Sequence, residues 1–501
     1  MSSLIANAYA SHGMVAIAIT LTMGALWTSY LYRLWFKGTQ SHDNTHELRG
    51  LWIMDGWFFF TKRHDFMIDT FRRIHRKVFR FRVLQHRVLA ASGAAARKAF
   101  LTEKGLSLDE GYKILLGGGP DLADINIETD EEGHFVRRLL SITTKDRLQD
   151  VLPSFVGDIS KLMATWGSNG SIDPFHEIYK LVFQMTVRMS TCAEIAGDPT
   201  AVAKLADLYW LLEQGLTPAG VLLPWFPSPA RKAREKATAG LFGMLYSYVE
   251  RRRHAKVPSD DAFDVLISKG TPTPEIVGFV LRTIFAGVLN TGMNAAWALL
   301  YVNMDPEWKA KATTEIRRLL DKHCANSTDP LHVRLAAIPF AAWEDELPAF
   351  DAVIRETLRL VMGGVVLRRN LLPGHLSVGE ASLARGEFLA YPLADVHLDP
   401  DVYPDPLRFD PGRYAAGREE DKRAPFGYLG WGAGRHPCVG KKTAELEIKL
   451  VLAMFLTGYE YQLVDQLGQP LRTVPPVNRN DIHMPRPLKP CKITFSRTEK
   501  K

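Results

Sequence analysis

The hydrophobic periodicity along this chain is mostly helical. From Thr273-Pro274 to about Asn303 apolar residues recur on every side, and Arg282 is the only charge between Ile276 and Val302. Threonine before proline reads as a cap and first-turn pair, so the segment predicts one helix of about 45 Å. A helix that is apolar all round belongs to a membrane or to the centre of a large domain. The asparagines, glycines and arginine inside it are costly in lipid and favour the domain centre. A helix is also predicted from Lys441 to Leu456, with Ala444, Ile448, Val451, Leu452 and Phe455 on one face. Phe350 to Leu360 reads as another, with Glu356 and Arg359 on one face at i, i+3. The alternation Val78-Phe79-Arg80-Phe81-Arg82-Val83 predicts a strand. Gly117-Gly118-Gly119-Pro120 and Pro224 to Pro229 predict loops. The pattern is mainly α with minor β, without repeats or low-complexity tracts.

Met14 to Tyr32 carries no charge and would span about 28 Å as a helix, close to the hydrocarbon thickness of a bilayer. Trp27, Tyr30, Tyr32, Trp35 and Phe36 crowd its C-terminal end, and Arg33 and Lys37 follow. Interfacial aromatics and basic residues on that side predict a single-pass anchor with the bulk of the chain in the cytosol. No basic region precedes the segment, which argues against a cleaved signal peptide. The chain therefore divides into an anchor (1–37, helix about 14–32), a polar linker (38–50) and one large helical domain (51–501).

Hydrophobic residues make up 46% and charged residues 23% of the 501 residues, which leaves ample material for a core. The net charge of +7 is modest for this length and gives little support for nucleic-acid binding. It suits a basic face toward anionic lipid or an acidic protein. The four cysteines, Cys192, Cys324, Cys438 and Cys491, show no paired short spacing, so neither a zinc site nor a disulfide framework is implied. That fits a reducing compartment.

The chemistry concentrates in Trp431-Gly432-Ala433-Gly434-Arg435-His436-Pro437-Cys438-Val439-Gly440. Glycines let a backbone come close to a flat group and adopt positive φ. A cysteine at a helix start feels the positive end of the dipole, which favours thiolate. A thiolate in a tight loop can ligate haem iron. The run resembles the haem-binding loop of the cytochrome P450 family, with Gly434, His436, Cys438 and Gly440 at the matching positions and Trp431 where the family has phenylalanine.

That resemblance extends over roughly residues 50 to 495 and implies the cytochrome P450 fold, haem b and Cys438 as the metal ligand. It makes Trp431 and Gly434 part of the haem loop, and it nominates His134, Arg138, Arg368 and His436 as partners of the haem propionates. The family's proton-delivery motif is matched by Ala286-Gly287-Val288-Leu289-Asn290-Thr291, with Leu289 for the acid and Asn290 for the threonine. Asn290 and Thr291 are thus the catalytic candidates. In these motifs the chain is nearest the sterol 14-demethylase, cholesterol 7-hydroxylase and prostacyclin synthase branch. Glu356-Thr357-Leu358-Arg359 matches the family's buried ion pair, with Arg408 or Arg413 as its third member.

The implied activity is a monooxygenase acting on a lipophilic small molecule such as a sterol, steroid or terpenoid, in the endoplasmic reticulum membrane. Electrons would come from NADPH–cytochrome P450 reductase, with cytochrome b5 as a further donor. Arg435, Lys441, Lys442, Lys145 and Arg147 are candidates for the acidic donor's dock. A P450-type isomerase or dehydratase, acting on a peroxide without dioxygen or reductase, is the alternative. Tyr112 to Ile127, Leu205 to Phe226 and Val474 to Asp481 are the expected substrate contacts.

Overall fold

The computed structural model describes residues 22–24, 45–48, 52–115, 132–215, 217–223, 228–255, 259–325, 327–481 and 485–498. Nearly all of the anchor expected at 14–32 and most of the linker lie outside these residues, as does the loop at 117–120. The helices that frame the site are α1 (Gly93–Thr102), α2 (Leu108–Leu115), α3 (Glu132–Ile142), α4 (Lys145–Ala164), α5 (Pro174–Ser190), α6 (Pro199–Gln214), α7 (Thr273–Met304), α8 (Pro348–Val361) and α9 (Lys441–Gly458).

The long apolar segment is α7, and 72% of its most apolar window is buried inside the domain. It is an interior helix. Small residues let α5 lie close against it: a Cβ on Gly292 would stand 3.3 Å from the Tyr179 backbone, and one on Gly287 3.3 Å from the Thr186 methyl. Helix α7 also packs on α8 and α9. Trp297, Phe183, Ile284, Val353 and Phe455 belong to the resulting core, each contributing about 1.5–3 kcal/mol by leaving water. Thr273 is not the cap that the sequence suggested. Pro272 occupies that place, and the Thr273 hydroxyl bonds Glu250 and Arg253 instead. Helix α9 is buried on all sides from Leu446 to Leu456, not along one stripe, because helices surround it. It therefore carries Glu447 inside, where burial raises the carboxyl pKa, and Lys449, which bonds the Trp343 carbonyl at 2.8 Å.

The expected strand at 78–83 is present. Strands β1 (His46–Glu47), β2 (Val78–Val83), β3 (His86–Ala91), β4 (Leu106–Ser107), β5 (Asn169–Ile172), β6 (Val365–Asn370), β7 (His375–Val378), β8 (Ala381–Ala384), β9 (Phe388–Pro392), β10 (Tyr459–Val464) and β11 (Lys492–Arg497) form three sheets. The largest runs β1-β2-β3-β9-β6-β4, the second β10-β11-β5, and β7 pairs with β8. In the large sheet Arg368 of β6 stands opposite Leu389 of β9. A separate core of Phe100, Leu101, Tyr391, Tyr403 and Leu429 joins that sheet to α1 and to the loop before Cys438. The sheet thus fixes one wall of the site and the α5–α7–α9 stack the other.

Candidate functional site

The loop before Cys438 is held by its backbone. The Leu429 amide donates to Nε2 of the buried His397 at 2.8 Å. Gly432 N–H then donates to the Leu429 carbonyl at 2.9 Å, Arg435 N–H to the Leu101 carbonyl at 3.0 Å, and Cys438 N–H to the Trp431 carbonyl at 2.7 Å. Arg97 and Tyr403 tie the preceding residues through the Pro425 and Gly427 carbonyls, at 3.1 and 2.9 Å. Gly432 and Gly434 both have φ near 66°, a region that side chains other than glycine rarely adopt. A Cβ on Gly434 would sit 2.3 Å from the Leu101 carbonyl oxygen, and one on Gly432 2.6 Å from the His436 oxygen. Trp431 packs on the main core. His436 is half-buried.

Cys438 is exposed, three residues before α9. Burial outweighs the helix start, which pulls the Cys438 thiol pKa down as the sequence suggested. Desolvation pushes the pKa up, and the Gly440 amide and the Lys441 charge only partly oppose it. Arg368, almost fully buried on β6, donates to the Phe100 carbonyl at 2.6 Å and lies over the Phe100 ring. Tyr112 on α2 feels the charges of both Arg368 and Cys438, while desolvation raises its phenol pKa. The cysteine loop, β6 and α2 thus lie close enough for their charged groups to interact.

On α7, Ala286 and Asn290 are exposed, within a helix whose neighbouring residues Ile284, Val288, Leu289 and Thr291 are buried. The asparagine, and not Thr291, faces open space. Its Nδ2 donates to the Ala286 carbonyl at 3.0 Å, so the amide oxygen is the atom left to accept from elsewhere. Leu289 lies in the core.

Behind the site, Glu356 is fully buried and collects donors. Arg359 Nη2 and Nε reach it at 2.7 and 2.8 Å, Arg413 Nε at 3.1 Å, Tyr414 OH at 2.9 Å and the Asp410 amide at 3.0 Å. Arg413 is therefore the third member of the network. Arg408 contributes only its carbonyl, which accepts from both arginines. Arg359 also bonds the His397 carbonyl at 2.6 Å, linking α8 to the residue that holds Leu429.

Other nominated residues are more scattered. His134 is exposed on α3, and Arg138 one turn on is ion-paired with Glu275. Lys145 and Lys442 share Glu344 at 2.7 and 2.8 Å, and Arg147 donates to the Asp260 carbonyl at 2.9 Å. The surface beside α9 is thus a mixed-charge one. Of the expected substrate segments, residues 116–127, 216 and 224–226 lie outside the described residues. Within 474–481, Arg479 bonds the Leu360 carbonyl at 2.7 Å. His397 was not legible as a site residue, because one histidine between Val396 and Leu398 shows no pattern; the buried partner that defines its role is distant in sequence.

A family model described as Cytochrome P450 matches residues 46–488. The "Cytochrome P450 monooxygenase AacuE" of Aspergillus aculeatus is 31% identical over 91% of this chain and 93% of its own length. The "Sterol 14alpha-demethylase" of Mycolicibacterium vanbaalenii is 26% identical over 76% of this chain and 83% of its own. The structure described as "Retinoic acid bound cyanobacterial CYP120A1" covers 88% of this chain and 96% of its own, with a TM-score of 0.69 and 22% identity, and shares the fold.

Proposed function

The chain belongs to the cytochrome P450 family and is a haem-dependent monooxygenase, and from that premise we propose that Cys438 is the axial ligand of its haem and that the substrate is a lipophilic small molecule. The observation that carries the assignment is the loop itself. It presents one exposed thiol on a backbone clamped to His397 and Leu101, with two glycines where a Cβ would collide. Haem b, when bound, would supply the activation of dioxygen, which is the oxidant, and a thiolate ligand would favour that chemistry.

The protein's part is to hold and orient. Gly434 keeps the loop close to Leu101, and Trp431 anchors it to the core. Arg368, His436, His134 and Arg138 are the residues assigned to the propionates, with Arg368 the most firmly placed by its bond to Phe100 and Arg138 already paired with Glu275. Asn290 offers its amide oxygen to the reacting side and has no ionisable proton to give. The 14-alpha demethylases among the relatives support a sterol, steroid or terpenoid-like substrate. A bilayer anchor before residue 38, a cytosolic domain at the endoplasmic reticulum, and electron supply from NADPH–cytochrome P450 reductase with cytochrome b5 complete the proposal.

Leu289 and Asn290, in place of an acid and an alcohol, favour a second reading: rearrangement of a peroxide without outside electrons. Purified full-length protein separates the two. It is screened with sterols, steroids and terpenoids for a substrate-induced spectral shift, and then given reductase and NADPH. Product that requires both supports the monooxygenase. Rearranged product formed from a peroxide without either would replace it.

A further inference from the structure

Helix α7 carries a second asparagine. Asn294 lies one turn beyond Asn290 on the same face and is only 6% exposed. Its Nδ2 donates to the Asn290 backbone carbonyl at 2.7 Å, repeating the bond from Asn290 to Ala286. Contacts this short to a carbonyl oxygen identify the nitrogen end of each amide, because two oxygens would repel there. Both amide oxygens are thereby left as acceptors. The Asn294 oxygen is buried without a hydrogen-bond partner. A bare buried acceptor is disfavoured, and native interiors nearly always supply a donor.

A second atom makes the same demand. Thr186 Oγ1 on α5 is also buried and unpartnered, and it lies 3.5 Å from the place a Gly287 Cβ would take. Gly287 and Asn294 flank Asn290 on the helix, about 4.5 and 6 Å away along the axis. Polar atoms lacking a partner therefore stand on either side of the one asparagine that reaches open space. The donor that suits each of them is small and carries O–H, and an internal water meets that description.

We propose that the Asn294 amide oxygen binds an internal water, and that this hydration site, continued past Asn290, carries protons to the reacting space in place of an acid and an alcohol. The inference rests on the monooxygenase reading. Amide oxygens accept without ionising, so they orient water and never hold its proton. A water beside Asn290 that gives up a proton takes one from the next water, and the last in the string takes one from solvent. No residue changes charge. Asn294 touches the water and not the reacting atoms, so it is a positioning residue.

The test uses the holoenzyme with its reductase. A wild-type crystal structure should show an ordered water within hydrogen-bond distance of Asn294 Oδ1, and N294L, of similar size without an acceptor, should lack it. The N294L enzyme keeps the thiolate-type carbon-monoxide spectrum, yet its product per NADPH oxidised falls about tenfold. Its solvent deuterium isotope effect rises, and N294Q, which keeps both the amide donor and the acceptor, restores coupling. Should N294L fail to fold, the wild-type water and N294Q carry the test. A wild-type map empty at that position, or an N294L enzyme coupled as tightly as the parent, overturns the proposal and leaves the monooxygenase intact. Wild-type protein without reductase-dependent product overturns both the monooxygenase reading and the proton route.

Discussion

Acid should release the cysteine loop through His397. This ring is completely buried, and desolvation, followed by the Arg359 charge, lowers its pKa from 6.5 to about 3. Its Nε2 accepts the Leu429 N–H, so a proton on that nitrogen would set donor against donor at the root of the loop. Below pH 6.5 the unfolded chain takes up a proton that the folded one refuses. The folded state therefore has its full advantage above about pH 6.5 and loses it progressively as pH falls toward 3. A gap of about 3.5 units, at about 1.4 kcal/mol each, makes that loss about 5 kcal/mol. The perturbation is His397→Gln, whose carbonyl can accept the Leu429 amide but does not titrate. Urea unfolding at steps between about pH 7 and pH 4, followed by far-ultraviolet circular dichroism, gives the stability of parent and variant. The carbon-monoxide spectrum is read in parallel. The parent should weaken steeply over this window and lose its thiolate signature, whereas His397→Gln should show a flatter profile. Superimposable profiles would refute the reasoning.

Glu356→Ala leaves Arg359, 0% exposed, without its anion, while Arg413 keeps Glu420 at 2.7 Å. Removing one partner of a buried ion pair costs about 3–5 kcal/mol, so the urea midpoint should drop sharply, and a change below about 1 kcal/mol would show that the network is dispensable. Gly434→Ala must relieve both a φ of 66° and a 2.3 Å approach to the Leu101 carbonyl. It should cost the protein its haem, whereas Gly157→Ala in α4, where nothing lies within 4 Å of the new Cβ, should gain roughly 0.5–1 kcal/mol from helix propensity. Equal haem content in the two variants would show that the loop tolerates a side chain.

The parts legible in the sequence are those with a local signature. Helix α7 was readable from its apolar run, β2 from alternation, and the cysteine loop from glycines and a basic residue around one thiol. The ion pair of Glu356 and Arg359 was readable because one turn of helix joins them. The choice between Arg408 and Arg413 was not, because it depends on which side chain the 3-10 turn Pro411–Tyr414 turns inward. The thiol's raised pKa was hidden too. Helix position speaks for a low value, but desolvation depends on what packs around the sulfur. Asn290 could be named from its motif, while its preference for accepting hydrogen bonds follows only from the bond to Ala286. His397 and Asn294 act through partners far away in sequence or through a missing partner, and neither leaves a mark on the local pattern.

In the proposed function, Cys438 gives this protein its haem chemistry. The direct measurement is the carbon-monoxide difference spectrum of the reduced, full-length protein beside that of Cys438→Ser. The wild type should show the long-wavelength band of a thiolate-ligated haem. The serine variant should lose that band while its circular dichroism stays the same. A thiolate-type band that survives in the variant, or never forms in well-folded wild type, would contradict the account.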